Sequence, residues 1–440
     1  MTQRFETPRF ETLVVGSGPA GIAAAVSAAA RGAQVGLVDD NPSAGGQIWR
    51  RGRGKANHSN NATRWRNRLL AANTAPMQLV PLQGWSVVDQ PTANSLRAER
   101  NGEVLDLQFE NLILATGARE RFLPFPGWTL PNVMGAGGIQ AMVKSGLPVR
   151  GKRIVVAGSG PLLLAVAAYL KSAGAEVVCV CEQASASQLL PFAFALAANP
   201  GKIAEALRYK ASTFGIPFYT SSWSIEASGD EELRAVTISI QGKERTILCD
   251  YLACGFHLVP NIELPALIGC EIENGAVKVD EWQQTSIPDI YCAGEPTGIG
   301  GLELSLIEGQ IAGLAASGQK EKARALFNQR RCLSRFAAKL ANAFALRPEL
   351  KALPHDNTLL CRCEDVAYGA VRQHRSWRAA KLQTRCGMGP CQGRICGAAA
   401  EFLLGWNADS VRPPVFPALI SSLVSSQAHN ESEIQNTQKV

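Results

Sequence analysis

Short apolar runs, glycine-rich turns and longer apolar stripes follow one another along most of the chain. Residues 11–15 form an apolar run, and the glycine-rich turn after it leads into an alanine-rich stretch that ends near Gly32. A second apolar run at 34–38 stops at Asp39. This order predicts a strand, a tight turn, a helix and a second strand, which together form one βαβ unit of an α/β fold.

The same unit recurs 142 residues later, counted from Gly16 to Gly158. A strand at 153–157, a helix to about Ser172 and a strand at 176–181 repeat the order of the first unit. Alternating apolar positions at 79–114 predict a meander of strands between the two units. Repetition on this scale predicts two nucleotide-fold domains, and 440 residues leave room for both.

The first turn carries a complete dinucleotide fingerprint. Gly16 suits the tight turn, Gly18 lets the backbone approach a pyrophosphate, and Gly21 lets helix and strand pack closely. Free amides at the helix N-terminus would bind the pyrophosphate. Asp39, 18 residues past Gly21, lies where an acid hydrogen-bonds ribose hydroxyls. Since FAD and NAD both use this fingerprint, it leaves the identity of the nucleotide open.

Three further motifs resemble, in order and placement, the flavin-domain signatures of the two-dinucleotide-binding-domain flavoproteins: Gly-Gly-Gln at 45–47, Ala-Thr-Gly at 115–117 and Tyr-Cys-Ala-Gly-Glu at 291–295. The resemblance implies a glutathione-reductase-like α/β fold whose first unit binds FAD. It also implies that an acid in the last motif meets the ribityl and phosphate region, and here Glu295 replaces the usual aspartate. The candidate cofactor-binding residues are Gly16, Gly18, Pro19, Ala20, Gly21, Asp39, Asp40, Gly46, Gln47, Thr116, Gly117, Gly294 and Glu295.

The second fingerprint departs from the pattern at two positions. Leu163 stands where the third glycine or an alanine belongs, and Cys181 occupies the position that matches Asp39. A bulky leucine alters the contact between helix and strand. The acid that would bind the ribose hydroxyls is also missing, unless Glu182 reaches them. The sequence therefore favours a retained scaffold domain, which packs against a partner or holds another nucleotide, over an NAD(P)H site.

Cysteine placement excludes disulfide-reductase chemistry in the first domain, because no cysteine precedes Cys179. Seven cysteines scattered through the middle of the chain are interpreted as small core residues. They are Cys179, Cys181, Cys249, Cys254, Cys270, Cys292 and Cys332.

The other five of the twelve cysteines lie close together near the C-terminus, at positions 361, 363, 386, 391 and 396. Iron and bridging sulfide prefer anionic sulfur ligands, and four thiolates complete a 2Fe-2S cluster. Glycines around Met388 leave backbone amides free to point at sulfur. Zinc is the competing interpretation, but structural zinc sites use cysteine pairs two to four residues apart.

The runs Cys-Arg-Cys-Glu-Asp-Val at 361–366 and Thr-Arg-Cys-Gly-Met-Gly-Pro-Cys-Gln-Gly-Arg-Ile-Cys-Gly at 384–397 resemble the bacterioferritin-associated-ferredoxin-like 2Fe-2S domain that is fused to flavoproteins. Similar modules end the large subunit of anaerobic glycerol-3-phosphate dehydrogenase, where the position matching Cys386 need not be cysteine. The resemblance implies Cys361, Cys363, Cys391 and Cys396 as ligands. The alternative has Cys386 as third ligand and Cys391 as fourth.

Over nearly its whole length the chain is similar to the A (alpha) subunits of opine oxidases such as octopine and nopaline oxidase. That family includes the alpha subunits of D-hydroxyproline and proline dehydrogenases, together with one subunit of hydrogen cyanide synthase. The resemblance implies an amino-acid-oxidase-like flavoprotein B (beta) subunit that oxidises the secondary amine, with room for a small third subunit. This chain would pass the electrons to a downstream acceptor. Relatives also suggest FMN between subunits, or an adenine nucleotide in place of FAD.

These inferences divide the chain into five parts. An FAD-binding Rossmann-like domain is expected at 1–145 and 260–320, with the second nucleotide-binding-like domain at 146–259. A helical linker at 321–355, whose apolar positions fit one stripe, leads to the 2Fe-2S domain at 356–410, and a tail at 411–440 ends in polar, disordered sequence. Two other functions stay open. One is a self-contained NAD(P)H-dependent flavin oxidoreductase, and the other is a scaffold that uses nucleotide and zinc structurally.

Charge and hydropathy narrow the partners. A net charge of +7 is spread along the chain, and the basic stretch at 50–68 is interpreted as a solvated surface, so no nucleic-acid partner is expected. Apolar runs fall well short of the roughly 20 residues of a membrane helix. We therefore expect a cytoplasmic protein, associated with a membrane only through partners. The five histidines fall in no recognisable acid-base arrangement, and no catalytic residue is assigned.

Overall fold

The computed structural model describes residues 7–30, 32–49, 60–73, 78–197, 200–407 and 411–424. Residues 50–59 of the basic stretch and 425–440 of the polar tail lie outside the described residues. The expectations for both segments therefore stay predictions.

The elements up to residue 120 are β1 (Arg9–Val15), α1 (Pro19–Ala29), β2 (Gln34–Asp39), α2 (Asn60–Ala72), β3 (Gln78–Gln83), β4 (Ser86–Thr92), β5 (Ser95–Arg100), β6 (Glu103–Leu114) and β7 (Ala118–Glu120). The middle of the chain contains β8 (Val133–Gly135), α3 (Ala136–Lys144), β9 (Arg153–Ser159), α4 (Leu162–Ser172), β10 (Glu176–Glu182), α5 (Ala186–Ala197), α6 (Pro200–Ser212), β11 (Phe218–Tyr219), β12 (Ser222–Ser228), β13 (Ala235–Ile240), β14 (Lys243–Leu248), β15 (Tyr251–Phe256) and β16 (Leu258–Pro260).

The remaining elements are α7 (Glu263–Ile268), β17 (Ile272–Glu273), β18 (Ala276–Val277), β19 (Ile290–Cys292), α8 (Gly301–Ala316), α9 (Lys320–Arg324), α10 (Phe327–Ala343), β20 (Leu359–Cys361), β21 (Val366–Ala367), α11 (Tyr368–Arg372), α12 (Trp377–Thr384), α13 (Cys396–Leu404) and α14 (Ile420–Val424). Two short 3₁₀ turns span Glu295–Thr297 and Pro348–Ala352.

The first sheet has seven strands in the order β3-β2-β1-β6-β5-β4, and β19 lies on the other side of β6. Strand β1 runs parallel to β2 and β6, so Val15 lies beside both Val38 and Leu114. The short β19 is also parallel to β6, with Cys292 beside Leu114. The predicted strand-turn-helix-strand unit is confirmed, and five parallel strands, β3 included, end at one edge of this sheet.

The second nucleotide fold is a five-stranded sheet in the order β11-β10-β9-β15-β8, next to the antiparallel sheet β12-β13-β14. Its second βαβ unit, β9-α4-β10, was also predicted correctly. The structure pairs β8 with β15 in this sheet, although residues up to 145 were predicted to belong to the first domain. Strand β8 has three residues, too few to show an alternating pattern from sequence.

The linker is not one continuous helix. It breaks between α9 and α10, where Ala323 is buried and Leu326 and Phe327 pack beside Ile311 of α8. Six of the seven scattered cysteines are buried as predicted, but the prediction for Cys332 was wrong because this residue is exposed on α10. Across the described residues, no helix combines the length and apolar character needed to cross a membrane.

Helices α1 and α8 pack at backbone contact in the first domain. A Cβ atom added to Gly309 would lie 2.1 Å from the carbonyl oxygen of Ala20, and one added to Gly313 would lie 2.2 Å from that of Ala24. Both distances are far inside van der Waals contact. The four-residue spacing of the two glycines places them on one face of α8, where they let the helices approach.

Because its neighbour is rigid backbone, we expect Gly309→Ala to destabilise the protein by about 2–3 kcal/mol through overpacking. The free energy of unfolding from urea denaturation measures this. Gly201→Ala is the matched control, since a Cβ atom there meets nothing within 4 Å. Equal effects of the two substitutions would show that the contact between α1 and α8 is not restrictive.

Candidate functional site

Four of the predicted motifs meet at the carboxyl edge of the first sheet. The glycine-rich turn follows β1, Asp39 ends β2, Thr116 follows β6 and Gly294 follows β19. Parallel strands in adjacent positions bring these ends together, and this is the edge where open α/β sheets bind nucleotides.

The turn after β1 has the geometry that its glycines predict. Gly16 has φ +100°, and a Cβ atom on Gly21 would lie 1.7 Å from the carbonyl oxygen of Gly16. Gly18 precedes α1, and a Cβ atom added to it would meet nothing within 4 Å, while Pro19 and Ala20 form the first helical positions. Among the described residues, no side chain caps this helix N-terminus. A pyrophosphate could therefore approach the amides of the first turn.

Asp39 is buried and rigidly oriented. Its carboxylate accepts hydrogen bonds from the backbone amide of Ser17, the backbone amide of Asn41 at 2.7 Å and the Asn41 side chain at 2.8 Å. Asp40 is exposed and accepts from the same Asn41 side chain at 2.7 Å. Asp39 is thus the acid whose carboxylate contacts the fingerprint turn, while Asp40 stays a predicted cofactor-binding residue beside it.

The segment after β2 folds back over the fingerprint turn. The amide of Gly45 donates to the carbonyl of Ser17 at 2.8 Å, and a Cβ atom on Gly46 would lie 3.0 Å from the Cα atom of Gly18. Gln47 is exposed, and Trp49 is buried with its indole nitrogen unpartnered within the described part of the chain. Trp49 was not predicted, although it stands two residues after the Gly-Gly-Gln motif.

Glu295 is the half-buried acid of the last motif. One oxygen, Oε1, accepts from the amide of Gly301 at the start of α8 at 3.0 Å, while Oε2 has no partner among the described residues. Burial raises the pKa of Glu295 to about 7. Glu308 of α8 supports this turn because its carboxylate accepts from the amide of Gly294 at 3.1 Å. The unpartnered oxygen suits a hydroxyl donor such as the ribityl chain of a flavin.

The five C-terminal cysteines form one pocket. The thiols of Cys361, Cys386 and Cys396 are buried, and their sulfur atoms all lie within 4.8 Å of one another. Cys363 and Cys391 are more exposed and contact each other, with the Cys391 amide donating to the Cys363 sulfur. The four predicted ligands therefore fall into two contacting pairs, Cys361 with Cys396 and Cys363 with Cys391. Cys386, the reserve candidate, adjoins the first pair.

Backbone close to the sulfur atoms explains the glycine content of this loop. The Gly387 amide donates to the sulfur of Cys361 at 3.5 Å, which confirms the prediction that amides here point at sulfur. A Cβ atom on Gly389 would lie 2.4 Å from that of Cys363. The neighbouring Cys396 thiol, and then burial, raise the pKa of Cys361, so a bound cation must favour its thiolate form.

A chain of polar contacts joins the flavin-type motif to the cysteine pocket. Thr116 and Asn261 exchange hydrogen bonds at 2.6 and 2.9 Å, and the Asn261 side chain accepts from Arg119 at 2.8 Å. Arg119 also donates to the carbonyl of Arg394 at 3.0 Å, and Arg394 donates to that of Cys391 at 3.3 Å.

Glu263 supports this chain, since it pairs with Arg119 at 2.9 Å and approaches Arg394 at 3.9 Å. Asn261, Arg119 and Glu263 were not predicted from the sequence. No local pattern marks them, because they become neighbours only in the fold. Arg394 could have been noticed, since it lies between two cysteines of the cluster.

The second fingerprint differs from the sequence expectation in its register. Strand β10 has a bulge between Val177 and Cys179, and so Glu182 lies beside Gly158. In the first unit, Gly16 corresponds to Gly158. Val15 pairs with Val38 there, so the next residues of the two strands, Gly16 and Asp39, lie side by side. Glu182, and not Cys181, therefore occupies the structural position of Asp39. One extra residue in the strand causes the difference.

The paired nucleotide folds and the site at the first edge define the class of two-dinucleotide-binding-domain flavoproteins. Residues 10–312 match the pyridine nucleotide-disulphide oxidoreductase family, and the chain belongs to it, within the branch that contains the A subunits of opine oxidases and the HcnB subunit of hydrogen cyanide synthase.

Curated relatives align over nearly the whole chain. The HcnB subunit of hydrogen cyanide synthase from Pseudomonas aeruginosa is 32% identical, with 91% of this chain and 92% of the relative covered. The A subunit of opine oxidase from Rhizobium meliloti strain 1021 is 30% identical, with 93% and 97% covered. Both relatives are subunits by name, one of a synthase and one of an oxidase, and the predicted family resemblance is confirmed.

Solved structures support the fold. L-proline dehydrogenase from P. horikoshii matches with a TM-score of 0.67 at 16% identity, covering 96% of this chain and 81% of that chain. Thioredoxin reductase from T. acidophilum matches with a TM-score of 0.54 at 19% identity, covering 71% of this chain and 99% of that chain. At these identities the likeness concerns the fold alone.

The raised pKa of Glu295 makes a prediction about stability in the flavin-free protein. A carboxyl whose pKa rises from 4.5 to about 7 on folding stabilises the fold below pH 4.5, and this contribution is lost as the pH rises through 7. Glu295→Gln keeps the shape without the charge. The unfolding free energy of Glu295→Gln minus that of the wild type should therefore be about 2–3 kcal/mol higher at pH 8 than at pH 5.

Urea denaturation of wild type and Glu295→Gln at both pH values measures this difference. Glu303→Gln is the control, since Glu303 lies two residues into α8 and is exposed. If Glu295→Gln changed the unfolding free energy equally at both pH values, the raised pKa of Glu295 would be contradicted.

Proposed function

We propose that this chain is the flavin and 2Fe-2S electron-transfer subunit of a heteromeric oxidase or dehydrogenase acting on secondary amines such as opines and amino acids. The observation that carries this proposal is the hydrogen-bonded path from Thr116 to Cys391, which ties the flavin-type motif to the cysteine pocket. When bound, a flavin and a 2Fe-2S cluster would together supply the conversion of a two-electron oxidation into single-electron steps.

The first edge fits FAD in several respects. The uncapped start of α1 offers amides to a pyrophosphate, Asp39 offers a fixed carboxylate to a ribose, and the unpartnered oxygen of Glu295 offers an acceptor to the ribityl chain. An adenine nucleotide alone would use the first two groups but not Glu295. The orphan oxygen therefore favours the whole dinucleotide, while FMN at an interface between subunits stays compatible with it.

The pocket fits a 2Fe-2S cluster with Cys361, Cys363, Cys391 and Cys396 as ligands. Two contacting thiol pairs provide two ligands for each of two irons, and amides from Gly387 and Cys391 direct positive partial charge at sulfur. Cys386 is the alternative third ligand, with Cys391 as fourth, because it adjoins the buried pair. Arg394 carries positive charge beside the loop, which favours an anionic cluster.

Oxidation of the amine is assigned to a partner. The relatives are named as subunits, and the proposed partner is an amino-acid-oxidase-like flavoprotein B subunit, with or without a small third subunit. Electrons would leave this chain for a downstream acceptor. None of the twelve cysteines, all of which lie in the described residues, forms a disulfide, and this suits a reducing, cytoplasmic compartment.

The ligand set predicts different outcomes for two serine substitutions. Cys391→Ser should abolish the cluster, lowering iron and acid-labile sulfide from about two per chain to near zero, because one iron loses a thiolate. Cys386→Ser should keep both contents and the visible absorbance. Iron and sulfide analysis of anaerobically purified protein is the measurement, with exposed Cys332→Ser as control. Loss of iron and sulfide in Cys386→Ser would make Cys386 a ligand, and zinc without iron in the wild type would rule out the cluster.

The division of labour predicts that activity requires two proteins. A tagged copy of the chain should co-purify from its own host with a second flavoprotein, and only the complex should reduce a dye with an opine or proline as donor. Each separated protein should lose that activity by about 100-fold or more. Amine-dependent dye reduction by this chain alone would contradict the proposal.

A further inference from the structure

The crevice of the second nucleotide fold is crossed by the chain's own linker. Open α/β sheets bind ligands outside the carboxyl ends of their strands, at the point where strand order reverses. In the sheet β11-β10-β9-β15-β8 that point is the pair β9 and β15. The segment 344–347, which follows α10, lies there.

Three strand ends converge on a single carbonyl oxygen, that of Phe344. Ser159, the last residue of β9, donates to it through its hydroxyl at 3.0 Å, and Gln183, directly after β10, reaches it with its amide nitrogen at 3.2 Å. His257, directly after β15, contacts it with Nε2. Phe344, Ser159 and Gln183 are all buried.

The contacts continue on both sides of Phe344. Gln183 also reaches the carbonyl of Ala345 at 3.2 Å, and its own side-chain oxygen accepts from the Arg347 amide at 3.1 Å. The Arg347 guanidinium lies 5.3 Å from the ring centroid of Trp223 and donates to Ser221 at 3.2 Å. The backbone and side chains of the linker therefore fill the polar sites of the crevice.

The groups that would hold a nucleotide are already used inside the protein. Both oxygens of Glu182 accept backbone hydrogen bonds, from Gly160 at 2.7 Å and from Ala184 at 2.9 Å. The Gly160 amide is the equivalent of the Gly18 amide at the pyrophosphate position in the first unit. Gly160 also has φ +101°, whereas Gly18 has φ −69°, so the turn before Leu163 has a different shape.

We propose that the linker segment 344–347 is the resident occupant of this crevice, so that the second nucleotide fold is a docking site for the linker and does not bind NAD(P)H. This inference does not rest on the proposed function. Docking fixes the start of the segment that leads to the cysteine pocket, and Trp128 fixes its far end by donating to the Leu359 carbonyl at 2.6 Å. The domain keeps its fold because it positions the cysteine domain.

Nucleotide titration of the full-length wild-type protein is the first test. Calorimetry with NADH and with NADPH should show no saturable binding up to about 1 mM. Saturable binding of either nucleotide, with faster amide exchange at 344–350 when it binds, would overturn the proposal.

Hydrogen-exchange mass spectrometry is the second test. Peptides covering 344–350 should exchange slowly in the wild type and about tenfold faster in Gln183→Leu, which removes the acceptor of the Arg347 amide. Ser159→Ala should give a smaller increase, and serves if Gln183→Leu fails to fold. Ser172→Ala, at the opposite end of α4, is the matched control and should leave these peptides unchanged. Exchange at 344–350 as fast as in an unstructured peptide would refute the docking.

Discussion

The close contact between α1 and α8 is the constraint on which the rest of the first domain depends. Gly309 and Gly313 let α8 lie against the carbonyl groups of α1, the helix that starts at the fingerprint turn. From that position Glu308 of α8 binds the Gly294 amide on one side and Arg330 of α10 on the other, the latter at 3.2 Å. The contact between these two helices thus positions both the carboxyl edge of the first sheet and the start of the linker.

Much of this arrangement could be predicted from sequence because it is locally encoded. The fingerprint, the repeat and the flavin-type motifs depend on short runs with strict steric needs, such as Gly21 against the Gly16 carbonyl. The docked linker could not be predicted in this way, since Phe344 presents a backbone carbonyl that has no sequence signature. Arg119, Asn261 and Glu263 escaped for a related reason, because ion pairs between distant segments leave no periodic pattern.

The cysteine pocket was predicted as a group, but its internal order could not be. Spacing along the chain gave no reason to place Cys386 beside Cys361 and Cys396, which results from the turn at Gly387, where φ is +81°. Burial separates the thiols further: Cys386 is fully enclosed, while Cys363 is exposed. The open side of the pocket is therefore the side of Cys363 and Cys391.

The bulge in β10 has a consequence for how this strand divides its tasks. In a regular strand the side chains alternate between the two faces, so the orientation of one residue determines the orientation of all the others. The extra residue between Val177 and Cys179 interrupts this alternation, so residues after the bulge face the opposite way from the regular pattern. Val177 and Val180 can then pack in the same buried cluster although they lie three positions apart, while Cys179 and Cys181 face the other cluster and the carboxylate of Glu182 closes the glycine turn. A single inserted residue thus lets one strand both pack in the core and hold the glycine turn with its last side chain.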